Sequence, residues 1–509
     1  MPRFYVHLLF VLQATFVMSS ALYAENQTST FTPVTRWDRD YNIQVTPYSM
    51  NDASVPGLQS FAAGAYGDDW VILAGKTGGQ HSFTTANRSA WVINPVTQQA
   101  WERALDDSMS GLSAHTVNSL SASNPQSYQK GNTLFITGGY VYETDADNFT
   151  TYKELTAINL PELIDWVKTP ETALPQNTIL QTTGPEGDGT IYEGGFFQVT
   201  GGGMYELGGK THIVFGQLFN GPYSGDGGYQ KYTSQIRSFE IDYDHGTGSL
   251  SFSNPTVTPN GGDPSQFRRR DFNTFPVLSK NAETQEDELT GVTLSGVFYE
   301  GEGLWTVPVE ISASGVPTME DPATNPSVFK QALNGYESAK LGLYSKSTGE
   351  MTEILFGGIT GNEFVDDPST GNLVYLSSFP YTNQISAVTI DANGDYSQTY
   401  LGDFPSIESP TGSPWLFGSN AEFFANPDLT LLEDDIIDLD SLSGTTLLGY
   451  IYGGIASGGP DGGFGGTSIA SSQVFTVEFV PVPEPSAGWI IISGSMLMLG
   501  IRRRWRDKH

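Results

Sequence analysis

The chain reads as an all-β protein built from a repeated unit, on three observations. Long helical periodicity is almost absent, and short β-branched and aromatic runs alternate with Gly, Asn, Asp and Pro. An apolar run ending in glycine recurs six times, at intervals of about 60 to 100 residues. A second apolar strand, ending in Ile plus Asn or Asp, follows most of those glycines about 20 to 35 residues later.

The elements follow in chain order. Arg3 and His7 precede an apolar stretch, Leu8 to Met18, and the small residues Ser19, Ser20, Ala21 and Ala24 come next. That order predicts a secretory signal peptide over residues 1–24, removed by signal peptidase. The body is expected over 25–480. Tyr41 to Thr46 reads as a strand with no unit of its own. The six glycine-terminated runs are Val71–Gly75, Leu134–Gly139, Ile213–Gly216, Val292–Gly296, Ile354–Gly358 and Tyr450–Gly454. Their later partners are Trp91–Asn94, Ala157–Asn159, Phe239–Asp242 and Val388–Asp391, with Val307–Ile311 a looser version. An Asn or Asp after a strand caps a turn through its own backbone. Trp101 and Trp166 each lie eight residues after the isoleucine, placed to pack between neighbouring units. Leu160 to Val167 is the clearest helical candidate. The last unit lacks a fourth strand, and Tyr41–Thr46 would supply it, hiding two open sheet edges.

Trp91-Val92-Ile93-Asn94-Pro95-Val96-Thr97-Gln98-Gln99-Ala100-Trp101, together with the glycine pairs, resembles the repeat of Kelch-type β-propellers. The resemblance implies a six-bladed propeller, each unit one four-stranded blade with long loops. Three of the runs lack the glycine doublet and four units lack the tryptophan. A pair of β-sandwiches is the alternative arrangement of the same strands.

The carboxyl end is tripartite. Val482-Pro483-Glu484-Pro485-Ser486 stays extended because proline restricts its own φ and its predecessor. The apolar run 487–501 predicts a short transmembrane helix, and Arg502, Arg503 and Arg504 favour a cytoplasmic end. This tail, 481–509, resembles the PEP-CTERM sorting signal read by exosortase-type enzymes in Gram-negative bacteria that make extracellular polysaccharide. The resemblance implies export, passage through the inner membrane, and a final place at the cell surface or in the matrix.

Composition bounds the chemistry. The 509 residues carry a formal charge of −32 and no cysteine. Disulfides, thiol chemistry and the cysteine–tyrosine crosslink of galactose-oxidase-like sites are therefore excluded. Six of the 24 basic residues lie in the two end segments, so the body is strongly acidic and repels nucleic acid. His81, His115, His212 and His245 fall in separate units and read as loop or strand polar residues. No cofactor motif and no convincing catalytic set occurs.

Two clusters are candidates. Arg268, Arg269 and Arg270, beside an expected innermost strand, would hold a carboxylate or sulfate, with Lys231 and Arg237 joining them. Strand alternation would send Arg269 opposite to the other two. Asp434, Asp435, Asp438 and Asp440 offer oxygen-only ligands that suit Ca²⁺, although the spacing departs from an EF-hand loop. Three functions compete: a surface propeller binding polysaccharide or protein, a glycan-active lyase, epimerase or hydrolase, and a purely structural matrix protein. An open channel ringed by arginines and acids favours the enzyme; a channel plugged by apolar side chains favours the structural protein.

Overall fold

A computed structural model describes residues 31–483, apart from 52, 83–84, 144–146, 224–226, 261–264, 282–283, 300–302, 366–372, 376–379, 434–435 and 461–467. The signal segment, Asp434, Asp435 and the tail from Glu484 onward lie outside the described residues. Among the described residues no helix is long and apolar enough to cross a membrane, and the run 487–501 is not among them.

The fold is an all-β propeller. Blade 1 is the antiparallel sheet of Ala62–Tyr66, Asp69–Leu73, Ser89–Asn94 and Gln99–Ala104. Blades 2, 3 and 4 repeat the pattern over 126–183, 203–258 and 273–318. Blade 5 takes Ala421–Ala425, Thr446–Gly453 and Val474–Pro481, and its outer strand is Tyr41–Tyr48 from the other end of the chain. That strand pairs antiparallel with Val474–Pro481 from Tyr41↔Pro481 to Tyr48↔Val474. Between blades 4 and 5 lies a six-stranded sheet built on Ala339–Ser345, Glu350–Ile359, Tyr381–Ile390 and Tyr396–Asp403.

The expectation of six four-stranded blades is thus corrected to five, with this wider sheet beside them. Val34–Arg36 adds to its outer edge and Ile437–Asp438 to its inner edge, both parallel. Parallel neighbours come from distant chain rather than from a hairpin, so repeat spacing does not reveal them.

An apolar core fills each seam between successive sheets. Phe135, Phe196, Phe197 and Phe239 join blades 2 and 3. Trp70 and Ile72 of blade 1 meet Phe424 and Tyr452 of blade 5, with Trp70 stacked on Phe424 at 4.5 Å. Burying each such side chain contributes about 1.5–3 kcal/mol.

The recurrent glycines have a physical cause. In every unit the last two residues of the run take positive φ: Ala74-Gly75, Gly138-Gly139, Phe215-Gly216, Ser295-Gly296, Gly357-Gly358 and Gly453-Gly454. In five of the six units the glycine at the second position then donates its N–H towards the next sheet. Gly75 reaches Ala122 O at 2.9 Å, Gly139 reaches Val199 O at 2.9 Å, and Gly454 of blade 5 reaches Leu58 O at 2.8 Å. A Cβ on Gly138 would lie 1.8 Å from Val199 O. The motif is a staple between sheets, which is why it recurs once per unit.

The repeat is long because two-stranded hairpins follow these turns. They are Tyr140–Glu143 with Asn148–Thr151, Gln217–Asn220 with Tyr229–Tyr232, Val297–Tyr299 with Gly303–Leu304, Asn362–Phe364 with Leu373–Tyr375, and Ile455–Ser457 with Ser468–Ala470. All extend from the same face of the propeller. The tryptophans pack where expected: Trp166, on the helix Leu160–Lys168, is buried with partly buried Trp101 in the blade 1–blade 2 seam.

Candidate functional site

On the hairpin face, the turn before each innermost strand places one residue at positive φ: Ser60, Asn124, Gly201, Asp271, Glu337 and Asn420. Backbone bonds link them around the axis. Asn124 N donates to Ser60 O at 3.0 Å, Gly201 N to Asn124 O at 3.1 Å, and Asp271 N to Gly201 O at 2.9 Å. Asn420 N donates to Glu337 O in the same manner. This collar borders a cavity of about 510 Å³ to which every sheet contributes lining residues. That volume lies inside the roughly 300–1,000 Å³ range of small-molecule sites.

The charged groups converge on one side. Arg270, 7% exposed, forms an ion pair with Asp271. Its Nε donates to Tyr232 Oη at 3.1 Å and its Nη2 to Tyr223 Oη at 3.3 Å. The Glu337 carboxyl is hydrogen-bonded to Asp271. Burial first, then the charge and hydrogen bond of Asp271, hold Glu337 protonated well above the usual carboxylate range. Arg270 pairs with Asp271 Oδ2, and Asp271 Oδ1 is buried without an N–H donor. Burial pushes the Lys76 amine down to about 8, against the opposing pull of Glu337 and Asp271. His81 is pushed down by burial, then by Lys76 and Arg270, so it is neutral at pH 7. Tyrosines 140, 223, 336 and 381 line the rest, and the buried Tyr381 hydroxyl has no hydrogen-bond partner among the described residues.

Of the five basic residues singled out from sequence, Arg270 lines this cavity; the other four are placed elsewhere. Residues 268–271 precede the strand Asn273–Lys280 in a non-strand segment, so alternation does not govern them. Arg269 is fully buried, donates to Ser295 O and Gln266 O at 3.2 Å, and stacks over Trp305 at 4.5 Å. Arg268 donates to Phe298 O at 2.7 Å and lies over Tyr232 at 3.9 Å. Arg237 is buried, bonded to Gly195 O at 3.0 Å and Phe196 O at 2.7 Å, and burial pushes it down to about 10. Lys231 is partly exposed on a hairpin, 3.8 Å from Glu193.

The acidic run divides as well. Asp438 caps the short turn Leu439–Ser441 by accepting from Asp440 N. Asp440 accepts from Ser345 Oγ at 2.8 Å, Ser347 N at 2.8 Å and Ser347 Oγ at 3.0 Å. These bonds pin the loop to the six-stranded sheet. Among the described residues no group of three or more His, Cys, Asp or Glu is placed to hold a metal. The histidines outside the cavity are engaged: His115 with Glu154 at 2.8 Å, His212 with Ser238 Oγ at 2.7 Å, and His245 with Asn177 O at 2.8 Å.

Lys76, Glu337 and Tyr381 were not legible as site residues. Of the three, Glu337 alone carries a positional signal, standing just before an innermost strand.

Fold and site together define a β-propeller with a charged, tyrosine-walled cavity on its axis. The chain is similar to a protein solved as "Structure of YjhT", at 11% identity and a TM-score of 0.41, over 84% of this chain and 100% of that one. No family model and no curated protein matches the chain.

Proposed function

We propose that the protein is an exported propeller of the cell surface or extracellular matrix that binds saccharide through the central cavity. The observation that carries this is the cavity itself. It is of ligand size, walled by tyrosines, and offers an unpartnered Tyr381 hydroxyl beside charged groups. Aromatic faces and convergent polar atoms are what sugars use for orientation. Signal peptidase and an exosortase-type enzyme would act on the two ends, whose sequence patterns are the support for sorting. Binding of the purified full chain to an immobilised glycan panel tests the reading. Capture of polysaccharide that is lost in Tyr381→Phe and Tyr336→Ala supports it; an empty panel sinks it. Intact mass from the native envelope tests sorting separately. A C-terminus near Pro485 is expected, and an uncut chain ending at His509 would contradict sorting.

A second reading, a glycan-active enzyme, is favoured by the Asp271–Glu337 pair. One member holds a proton beside a partner tied to Arg270, as an acid–base couple requires. Hydrogen-bonded carboxyls leave no room for the separation of about 5 Å or more that glycoside hydrolysis uses. Lyase or epimerase chemistry therefore fits the pair better than hydrolysis. Product formation from a bound glycan, abolished in Glu337→Gln, would establish it.

A further inference from the structure

Lys76 stands apart from every other cation discussed. Arg270 is fixed by Asp271, Tyr232 and Tyr223. Arg237 and Arg269 are spent on backbone carbonyls, and Arg103, in the seam of blades 1 and 2, on carbonyls and an ion pair with Asp107 at 3.3 Å. Among the described residues the Lys76 amine has neither an ion pair nor a hydrogen bond, yet it lines the central cavity. A half-buried ammonium left without a partner costs stability unless something compensates it.

The groups facing it come from three sides. Arg270 and Asp271 belong to the turn before blade 4, Tyr336 and Glu337 to the turn before the six-stranded sheet, and His81 to the loop after blade 1's second strand. Asp271 is matched by Arg270, Glu337 carries a proton, and His81 is neutral. The Lys76 charge is left over. The cavity is a cationic spot at the centre of a chain whose formal charge is −32.

We infer that the cavity selects a saccharide unit bearing one carboxylate, with Lys76 as its salt-bridging partner. This rests on the saccharide reading above and deepens it. A single carboxylate matches a single unmatched ammonium. The Tyr381 hydroxyl, without a partner among the described residues, remains to meet a sugar hydroxyl. A doubly charged phosphate would leave one charge unpaired in a confined site. Arg270 positions the wall rather than the ligand, because its fork is already occupied.

The test uses the full chain, purified in mild detergent, titrated calorimetrically with glucuronate and with glucose. At pH 6.5 glucuronate is expected to bind at least tenfold more tightly. At pH 9.5 the preference should vanish, because Lys76 has lost its proton. Lys76→Met should abolish the preference at both pH values. Lys76→Arg should carry the preference up to pH 9.5, which a merely structural lysine would not do. Equal affinity for the two sugars in the parent, or a preference that survives Lys76→Met, overturns the inference and leaves saccharide binding standing. Failure of both sugars and of every glycan on the panel overturns the saccharide reading and this inference together.

Discussion

The seams between sheets and the collar around the axis both bury cations, and they treat them oppositely. In the seams, Arg103, Arg237 and Arg269 repeat one arrangement. Each guanidinium lies against an aromatic ring, Trp166 at 4.2 Å, Tyr192 at 4.8 Å and Trp305 at 4.5 Å. Each donates to backbone carbonyls, Arg103 to those of Trp166, Thr169, Pro170 and Thr172, and Arg103 alone adds a carboxylate, the partly exposed Asp107 at 3.3 Å. Those carbonyls belong to segments that connect the strands. At the collar, Arg270 meets a carboxylate, and Lys76 meets no partner among the described residues. Arg269 and Arg270 are adjacent in sequence, so residue type and burial do not separate scaffold from site. What the charge faces does.

The largest expected effect falls in the seams. Arg269→Ala leaves the buried Ser295 carbonyl and the part-buried Gln266 carbonyl without this donor and removes the stack on Trp305, which should cost on the order of 3 kcal/mol. Thermal unfolding of this variant should move down by several degrees, with any loss of ligand binding following the loss of fold. A variant that melts with the parent yet fails to bind would move Arg269 to the site side of the comparison.

Next comes the staple. Gly138→Ala puts a Cβ 1.8 Å from Val199 O at a φ of +68°. About 2 kcal/mol of destabilisation is expected, read as a lower denaturant midpoint; an unchanged midpoint would mean the turn is plastic.

A smaller effect tests burial of charge away from both regions. Glu353, 4% exposed, has Oε2 without a partner, and burial holds its carboxyl up at about 8 from a normal 4.5. Its folded pKa lies above its unfolded one. Its contribution to stability is therefore full below about 4.5 and lost as pH rises through about 8. Glu353→Gln should flatten this fall, melting above the parent at pH 8.5. The same pH slope in both proteins would refute the assignment. The smallest effect is at the acidic loop. Asp440→Asn weakens bonds at a partly exposed site and should cost no more than about 1 kcal/mol.

The comparison also explains what could be read from the chain. The staple was legible because its second residue takes positive φ in every unit and is glycine in all six, although the first is Ala74, Phe215 or Ser295 in three of them. The third strands were legible because Asn94, Asn159 and Asp391 cap the turns that follow them. Asn94 accepts from Thr97 N at 2.8 Å, Asn159 from Glu162 N at 3.4 Å, and Asp391 from Asn393 N at 2.8 Å. The hairpins were not legible, because strands of two to four residues with mixed polarity carry no period. The collar was not legible either. Ser60, Asn124, Gly201, Asp271, Glu337 and Asn420 share a backbone conformation and a place, not a side chain. The arginine run drew attention to the correct turn, where Arg270, of the three, faces the cavity.

Diffraction from crystals soaked in glucuronate bears most directly on the division between seam and collar. The account predicts sugar density in the central cavity, its carboxylate within hydrogen-bond distance of Lys76 Nζ, and Arg269 unmoved against Trp305. Density that engages Arg269, or that settles on the outer hairpins and leaves the cavity empty, would contradict it.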